Sequence, residues 1–263
     1  MQTIKAYAKI NIFLKITGHK DGYHTLLSRF MRVNSLYDTI SLVPHQSGEF
    51  IIEGCGDVEI KSNTIYKAYE KLYEYTKSSE LLEFFQNHKV VVDKKIPSQA
   101  GLGGGSSDSA SFIRLVNDVC SLNLSTQELS KIGSTIGADL PFFIHNFNSA
   151  NVSGFGEIVE EFEEDILDIE IFTPKIGCDT AEVFKEFKKE YLEDIDINSF
   201  NNWENIKSQT LLEQIKNPSL LNDLYMASCA VCPKLEANTP KGWYFSGSGS
   251  SFFRIKRNLN EKL

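Results

Sequence analysis

Residues 96–110 read "IPSQAGLGGGSSDSA", with four glycines in five positions and a serine pair directly after them. Glycine loses more backbone freedom on folding than any other residue, so such a cluster costs stability and needs a compensating use. It follows the strand-like "HKVVVDKKI" and precedes apolar positions 110, 113, 116, 119 and 120, whose spacing predicts a helix opening at the serines. A helix N-terminus offers unpaired N–H groups and about half a positive charge, which suits a phosphate. Bare glycines let the backbone approach that anion, and Ser106 and Ser107 add hydroxyl donors. The familiar phosphate loops do not match. No lysine follows the glycines as a P-loop requires, and the sixth position counted from Gly101 is Ser106 where a dinucleotide fingerprint needs glycine. The H-R-D and D-F-G elements of protein kinases are absent. The placement predicts a phosphate site of another kind.

Two more polar residues stand where chemistry is possible. Lys9 and Asn11 alternate onto one face of a first strand and so can line one site. Asp139 follows a helix predicted to end near Gly137 and precedes Leu140 and Pro141, and a carboxylate among apolar neighbours needs a partner. From spacing alone the two charged residues read as an exposed strand lysine and a helix-capping aspartate. Cys229 and Cys232 form a C-x-x-C, but the other cysteines, at 55, 120 and 178, supply no second pair with metal spacing. Buried, reduced thiols are expected. The five histidines are dispersed, and no protein-held transition metal is expected.

The elements that must position these groups are legible in outline. Residues 3–16 alternate as a strand, "TGHKDGYH" reads as a loop, and "RFMRVNSLYDTISLV" and "EFIIEG" read as strands. Asn63 is a candidate cap for a helix whose apolar stripe is 65, 68, 69, 72 and 73. "STQE" at 125–128 has the capping-box form. Beyond about residue 150 come a hairpin in "SANVSGFGEIVEEF", a strand in "DIEIFTPK", and helices over 179–192 and 203–216. An apolar helix in "LYMASCAVCPKLEA" stops at Pro233, and "GWYFSGSGSSFFRIK" gives two short aromatic strands around a Gly/Ser turn. This mixture predicts an α+β fold of two closely packed domains. At 263 residues, 41% hydrophobic and with a net charge of −8, the chain has the composition of a cytoplasmic globular protein. Net acidity argues against a general nucleic-acid binder, and no apolar run approaches the roughly 20 residues of a membrane helix.

"PSQAGLGGGSSDSA" resembles the P-x-x-x-G-L-G-[GS]-S-S motif of the GHMP kinase superfamily, which includes galactokinase, homoserine kinase and mevalonate kinase. Two further stretches, "AKINIFLKITGHKDGYH" (8–24) and "IGADLPFFI" (136–144), resemble the branch whose acceptor is a cytidine diphosphate ester of methylerythritol. The closing "FSGSGSSFF" is similar to the superfamily's third glycine motif, so the motifs run in family order along nearly the whole chain. Gln99 departs from the pattern, standing where many relatives carry Gly or Ala; its side chain is expected to point outward.

The resemblance implies a two-domain GHMP kinase fold, with a ribosomal-protein-S5-like N-terminal domain (1–150) that binds ATP and a ferredoxin-like C-terminal domain (151–263). It implies that ATP, with Mg²⁺ bridging its phosphates, is wrapped by Pro97, Ser98, Gln99, Ala100, Gly101 and Leu102, continuing through Gly103, Gly104, Gly105, Ser106 and Ser107. Asp139 would accept the proton of the substrate hydroxyl, or mainly position it if the transition state is loose, while Lys9 keeps it ionised and offsets charge at the attacking oxygen. Tyr23 and Phe184 would take the two faces of cytosine, His24 its polar edge, Thr180 the pocket rim, and Asn11 and Phe30 the substrate side. The implied activity is phosphorylation of the 2-hydroxyl of CDP-methylerythritol in the non-mevalonate (methylerythritol phosphate) route to isoprenoid precursors, by a monomer or weak homodimer. Two alternatives stay open on sequence alone: a superfamily kinase for mevalonate, homoserine or a sugar, and a non-catalytic nucleotide sensor.

Overall fold

The computed structural model describes every residue except Asp21, Ser47, Asp57, Val58 and 257–263. Two long strands open the chain, β1 (Gln2–Lys20) and β2 (Tyr23–Pro44), paired with each other. The chain then divides into two compact units, and both strands contribute to each. The first unit holds Met1–Ala8, Leu36–Ile96 and Gly103–Phe147; the second holds Lys9–Ser35, Pro97–Leu102 and the chain from Asn148 onward.

In the first unit the end of β2 pairs antiparallel with β4 (His88–Asp93), with Ile40 opposite Val92 and Leu42 opposite Val90. The stretch "EFIIEG" contributes only β3 (Ile52–Glu53), parallel to β4. Helix α1 (Thr64–Thr76) begins at Asn63, whose side chain accepts from the Ile65 amide at 2.8 Å, and buries Ile65, Ala68 and Leu72. Residues 79–86, which periodicity leaves unassigned, form α2 (Ser79–Gln86), started by the Ser78 hydroxyl accepting from the Leu81 amide. Next comes α3 (Gly104–Val119), followed by α4 (Thr126–Ser134), whose capping box forms between Ser125 and Glu128, and α5 (Leu140–His145). The core is aromatic where these meet: Phe50 stacks on Tyr69 at 4.2 Å and meets Phe85 and Phe112 edge-on.

The second unit pairs the start of β2 with β5 (Ser149–Gly154), Phe30 lying opposite Ala150, and β5 with β6 (Ile158–Glu161). A separate three-stranded sheet follows the order β7 (Ile169–Phe172), β9 (Phe252–Ile255), β8 (Tyr244–Phe245). Between β7 and β8 come α6 (Thr180–Glu190), α7 (Ser208–Gln214), α8 (Pro218–Leu221), α9 (Leu224–Val231) and α10 (Lys234–Ala237).

Two expectations need correction. "TGHKDGYH" is mostly strand rather than loop: β1 and β2 run on until only Asp21 and Gly22 separate them, and Thr17 bonds Thr25 across the pair at 2.9 Å. Asp21 itself lies outside the described residues. The helix expected over 203–216 is broken into a one-turn 3-10 helix at Trp203–Asn205 and α7. The cause is Arg29, fully buried on β2. Its guanidinium gathers the carbonyls of Trp203, Glu204 and Ile206 onto one group, where a continuous helix would line them up along its axis. All five cysteines are free, and Cys55 and Cys232 are half-buried rather than buried. Among the described residues no helix is long and apolar enough to cross a membrane.

Candidate active site

The glycine stretch leaves β4 and ends as the first turn of α3. Gly103 takes the N-cap with φ +71°, a left-handed conformation that glycine adopts without strain. No side chain caps this helix. The first intrahelical bond runs from the Ser107 amide to the Gly103 carbonyl at 2.8 Å. The amides of Gly104, Gly105 and Ser106 therefore have no acceptor within the helix, the arrangement that binds anions. The helix starts two residues before the serines, so the serines lie inside its first turn. Ser107 is buried and its hydroxyl donates to the Tyr7 carbonyl at 2.7 Å, tying α3 to β1.

The incoming part of the loop is braced by the third glycine motif. Pro97, Ser98 and Gln99 are exposed. Gln99 sits at φ +51°, and its carbonyl accepts from the Cys178 amide at 3.4 Å. Its side chain lies against Gly177, so it contacts protein rather than only solvent. Ala100 accepts from the Ser251 amide at 3.1 Å, Gly101 from the Ser246 hydroxyl at 3.1 Å, and Leu102 from the Lys9 amide at 3.0 Å. A Cβ on Gly101 would lie 2.1 Å from the Ser246 carbonyl oxygen, so the two glycine motifs approach as only bare backbone can.

Lys9 and Asn11 meet on one face of β1. The buried Lys9 ammonium donates to Asn11 Oδ1 at 2.7 Å and sits 4.4 Å from the centre of the Phe30 ring. Asn11 Nδ2 donates to Ser28 Oγ at 2.9 Å, and Ser28 in turn donates to the Phe13 carbonyl. This relay fixes which end of the Asn11 amide faces the lysine. Phe30 is 2% exposed and serves as the ring beneath that cation. Asp139 occupies the N-cap position of α5, half-buried, but its side chain makes no capping bond. The capping role that spacing suggests is therefore not what this carboxylate does. Pro141 at the start of α5 and the buried run Leu140–Ile144 hold it in place.

At the start of β2, His24 faces Phe184 of α6 at 5.3 Å and 33°, and His19 edge-on at 5.1 Å. Burial, with smaller effects from His19 and Lys188, pushes the His24 pKa below its usual value. A neutral imidazole carries one donor and one acceptor. Tyr23 is exposed and contacts Phe155 edge-on at 5.9 Å. Thr180, at the first position of α6, bonds Ser248 at 2.8 Å. Residues that sequence reasoning missed include Ser28 and Ser246, which brace the site, and the buried carboxylates Asp38 and Asp108, which share the half-buried Lys94. Ser246 and Asp108 lie inside the quoted motifs; nothing in the spacing marks Asp38 or Lys94. Among the described residues no group of three or more His, Cys, Asp or Glu side chains is arranged to hold a metal ion.

The glycine bend opens an uncapped helix and is braced by a second glycine motif, and over this helix the model of the family described as GHMP kinases N terminal domain matches residues 63–147. The chain is 59% identical over 256 residues, 97% of its length and 100% of the relative's, to a protein of a Sulfurovum species named 4-diphosphocytidyl-2-C-methyl-D-erythritol kinase. A protein of that name from Sulfurimonas denitrificans is 45% identical, with 99% of both chains covered. A crystal structure of 4-(cytidine 5'-diphospho)-2C-methyl-D-erythritol kinase matches with a TM-score of 0.71 at 25% identity, covering 97% of this chain and 90% of that one. The chain belongs to the 4-diphosphocytidyl-2-C-methyl-D-erythritol kinase family.

Proposed function

We propose that this chain transfers the γ-phosphoryl group of ATP to the 2-hydroxyl of CDP-methylerythritol. The observation that supports the phosphoryl chemistry is the N-terminus of α3, where Gly103 is the N-cap and no side chain makes a capping bond to the first amides. The acceptor rests on the family, whose members are named for it. Mg²⁺ brought in with ATP would neutralise charge on the phosphates beside the loop from Pro97 to Ser107.

The hydroxyl oxygen attacks the γ-phosphorus in line, the bond to the β–γ bridging oxygen breaks, and ADP leaves. Asp139 takes the hydroxyl proton, and Lys9, presented by Asn11, offsets charge at the attacking oxygen. The loop from Pro97 to Ser107 holds the phosphates. Neutral His24 reads the polar edge of cytosine, with Phe184 and Tyr23 against its faces and Thr180 at the rim. In this proposal residues 1–150 form the ATP-binding domain and 151–263 the second domain of a cytoplasmic enzyme, monomeric or weakly dimeric.

An ADP-release assay with CDP-methylerythritol, mevalonate, homoserine and galactose tests the assignment. Turnover is expected with the first alone, and equal turnover with another acceptor overturns it. Asp139→Asn should lower kcat by about 100-fold or more, the usual share of a general base, while ATP affinity stays within about threefold. Near-normal turnover in that variant removes Asp139 from the mechanism.

A further inference from the structure

We propose that Lys94 and Asp108 form a clasp across the base of the glycine loop and act as positioning residues for the phosphates of ATP. The inference rests on the assignment of ATP to that loop. Lys94 follows β4 directly, and Asp108 lies in the second turn of α3, so the pair joins the chain where it enters the loop to the chain where it leaves. Lys94 Nζ donates to Asp108 Oδ2 at 2.6 Å, and Asp108 is 4% exposed. A second carboxylate holds the same ammonium. Asp38, fully buried on β2, bonds Lys94 through Oδ2, while its Oδ1 accepts from the Lys95 amide and, at 2.8 Å, from the Ile96 amide. The last residues before the loop are thus gripped from both sides. The Lys94 ammonium lies 3.6 Å from where a Cβ on Gly104 would stand, beside the first residue of α3.

This arrangement is costly as a plain structural bridge. Two carboxylates share one lysine, Asp108 Oδ1 is buried with no hydrogen-bond partner, and burial pushes the Asp108 carboxyl up to about 7. Buried ion pairs of this kind are often no more stable than a packed apolar substitute. The location supplies the use. Glycines have more backbone freedom to lose than other residues, so every bond that holds this stretch in its observed form before ATP arrives leaves less ordering to be done on binding. Fixing the two ends beforehand has that effect.

Lys94→Met should raise the KM for ATP about tenfold while kcat at saturating ATP and the KM for the cytidyl acceptor stay within about twofold, the pattern of binding lost equally from ground state and transition state. Lys94→Arg, which keeps the charge and the bonds to both carboxylates, should restore the ATP KM to within about threefold. Hydrogen exchange of the amides in 101–107 gives an independent readout: without nucleotide it should be faster in Lys94→Met and in Asp108→Asn than in the wild type, and saturating ATP analogue should erase the difference. Unchanged loop exchange together with an unchanged ATP KM overturns the clasp, as does an equal rise in the KM of both substrates. Should Lys94→Met fail to fold, Asp108→Asn carries the same test. In the wild-type enzyme ATP analogue should protect these amides. Absence of that protection would remove ATP from the loop, whereas protection without any difference between variants would remove only the clasp.

Discussion

At the scale of single residues, the bond from Lys9 to Asn11 is the contact with the most to lose. An ammonium buried to 4% exposure can point at a reacting oxygen only if its other directions are fixed, and Asn11, turned by Ser28, fixes one of them at 2.7 Å. A hydrogen bond to a charged group is worth about 1.5–3 kcal/mol, so Asn11→Ala should lower kcat roughly 10- to 100-fold with the ATP KM little changed. Steady-state kinetics check this, and an unaltered kcat would leave Asn11 a mere strand residue. His24 gives a pH prediction. Its pKa lies below 6.5 because the ring is buried beside His19 and Lys188, so it is neutral at pH 7 and gains its proton only as pH falls further. The KM for CDP-methylerythritol should rise as pH drops from 6.5 toward 5, and His24→Gln should flatten that rise. Alternation made the shared face of Lys9 and Asn11 legible in the sequence. The Ser28 hydroxyl was not legible, because it reaches Asn11 from a neighbouring strand and leaves no local pattern.

At the scale of elements, the loop and the buried arginine show where local signals stop. Gly101 and Gln99 share a left-handed backbone but differ in surroundings. Gly101→Ala would place a Cβ 2.1 Å from the Ser246 carbonyl, so the loss should exceed the roughly 1–3 kcal/mol of a strained backbone alone. Gln99→Gly removes that strain at a position already exposed and should leave stability unchanged or raise it, within about 1 kcal/mol. Urea unfolding of the two variants separates the cases, and equal effects would show that close approach is not what requires glycine at 101. Most elements were legible because caps and periodicity are local: Asn63 starts α1 and the Ser125–Glu128 box starts α4. The break between Trp203 and α7 was illegible because Arg29, which gathers the carbonyls there, lies on β2, about 175 residues earlier in the chain. Arg29 also bonds Asn151 at 2.7 Å and pairs with Glu164, the latter 5% exposed. Arg29→Met would leave that buried carboxylate without its cation, held only by the Ser149 and Ser208 donors, and urea unfolding should show a loss of about 3 kcal/mol.

At the scale of the whole molecule, stability should carry the signature of one buried carboxyl in the glycine-loop unit. Asp108 is held up near pH 7 first by burial; Lys94 pulls it down and Asp38 pushes it up. The folded chain therefore binds this proton more tightly than the unfolded chain, where the carboxyl sits near its ordinary 3.8. Folding stability from this group is fully present below that ordinary value and is lost as pH rises through about 7, because the unfolded state then sheds a proton that the fold retains. Asp108→Asn removes the titrating group together with the charge that holds Lys94. Compared with wild type, the variant should gain relative stability steadily from about pH 4 to pH 7 and then hold a constant offset above about pH 8. Urea unfolding of both proteins across that range measures the difference, and two parallel stability curves would mean that Asp108 is ionised throughout. The chain's net charge of −8 shifts both curves together and so cannot mimic the effect. Because the titrating group touches Lys94 at the loop's base, its protonation loosens the hold on the lysine, so ATP should bind less tightly as pH falls through the range in which Asp108 takes up its proton.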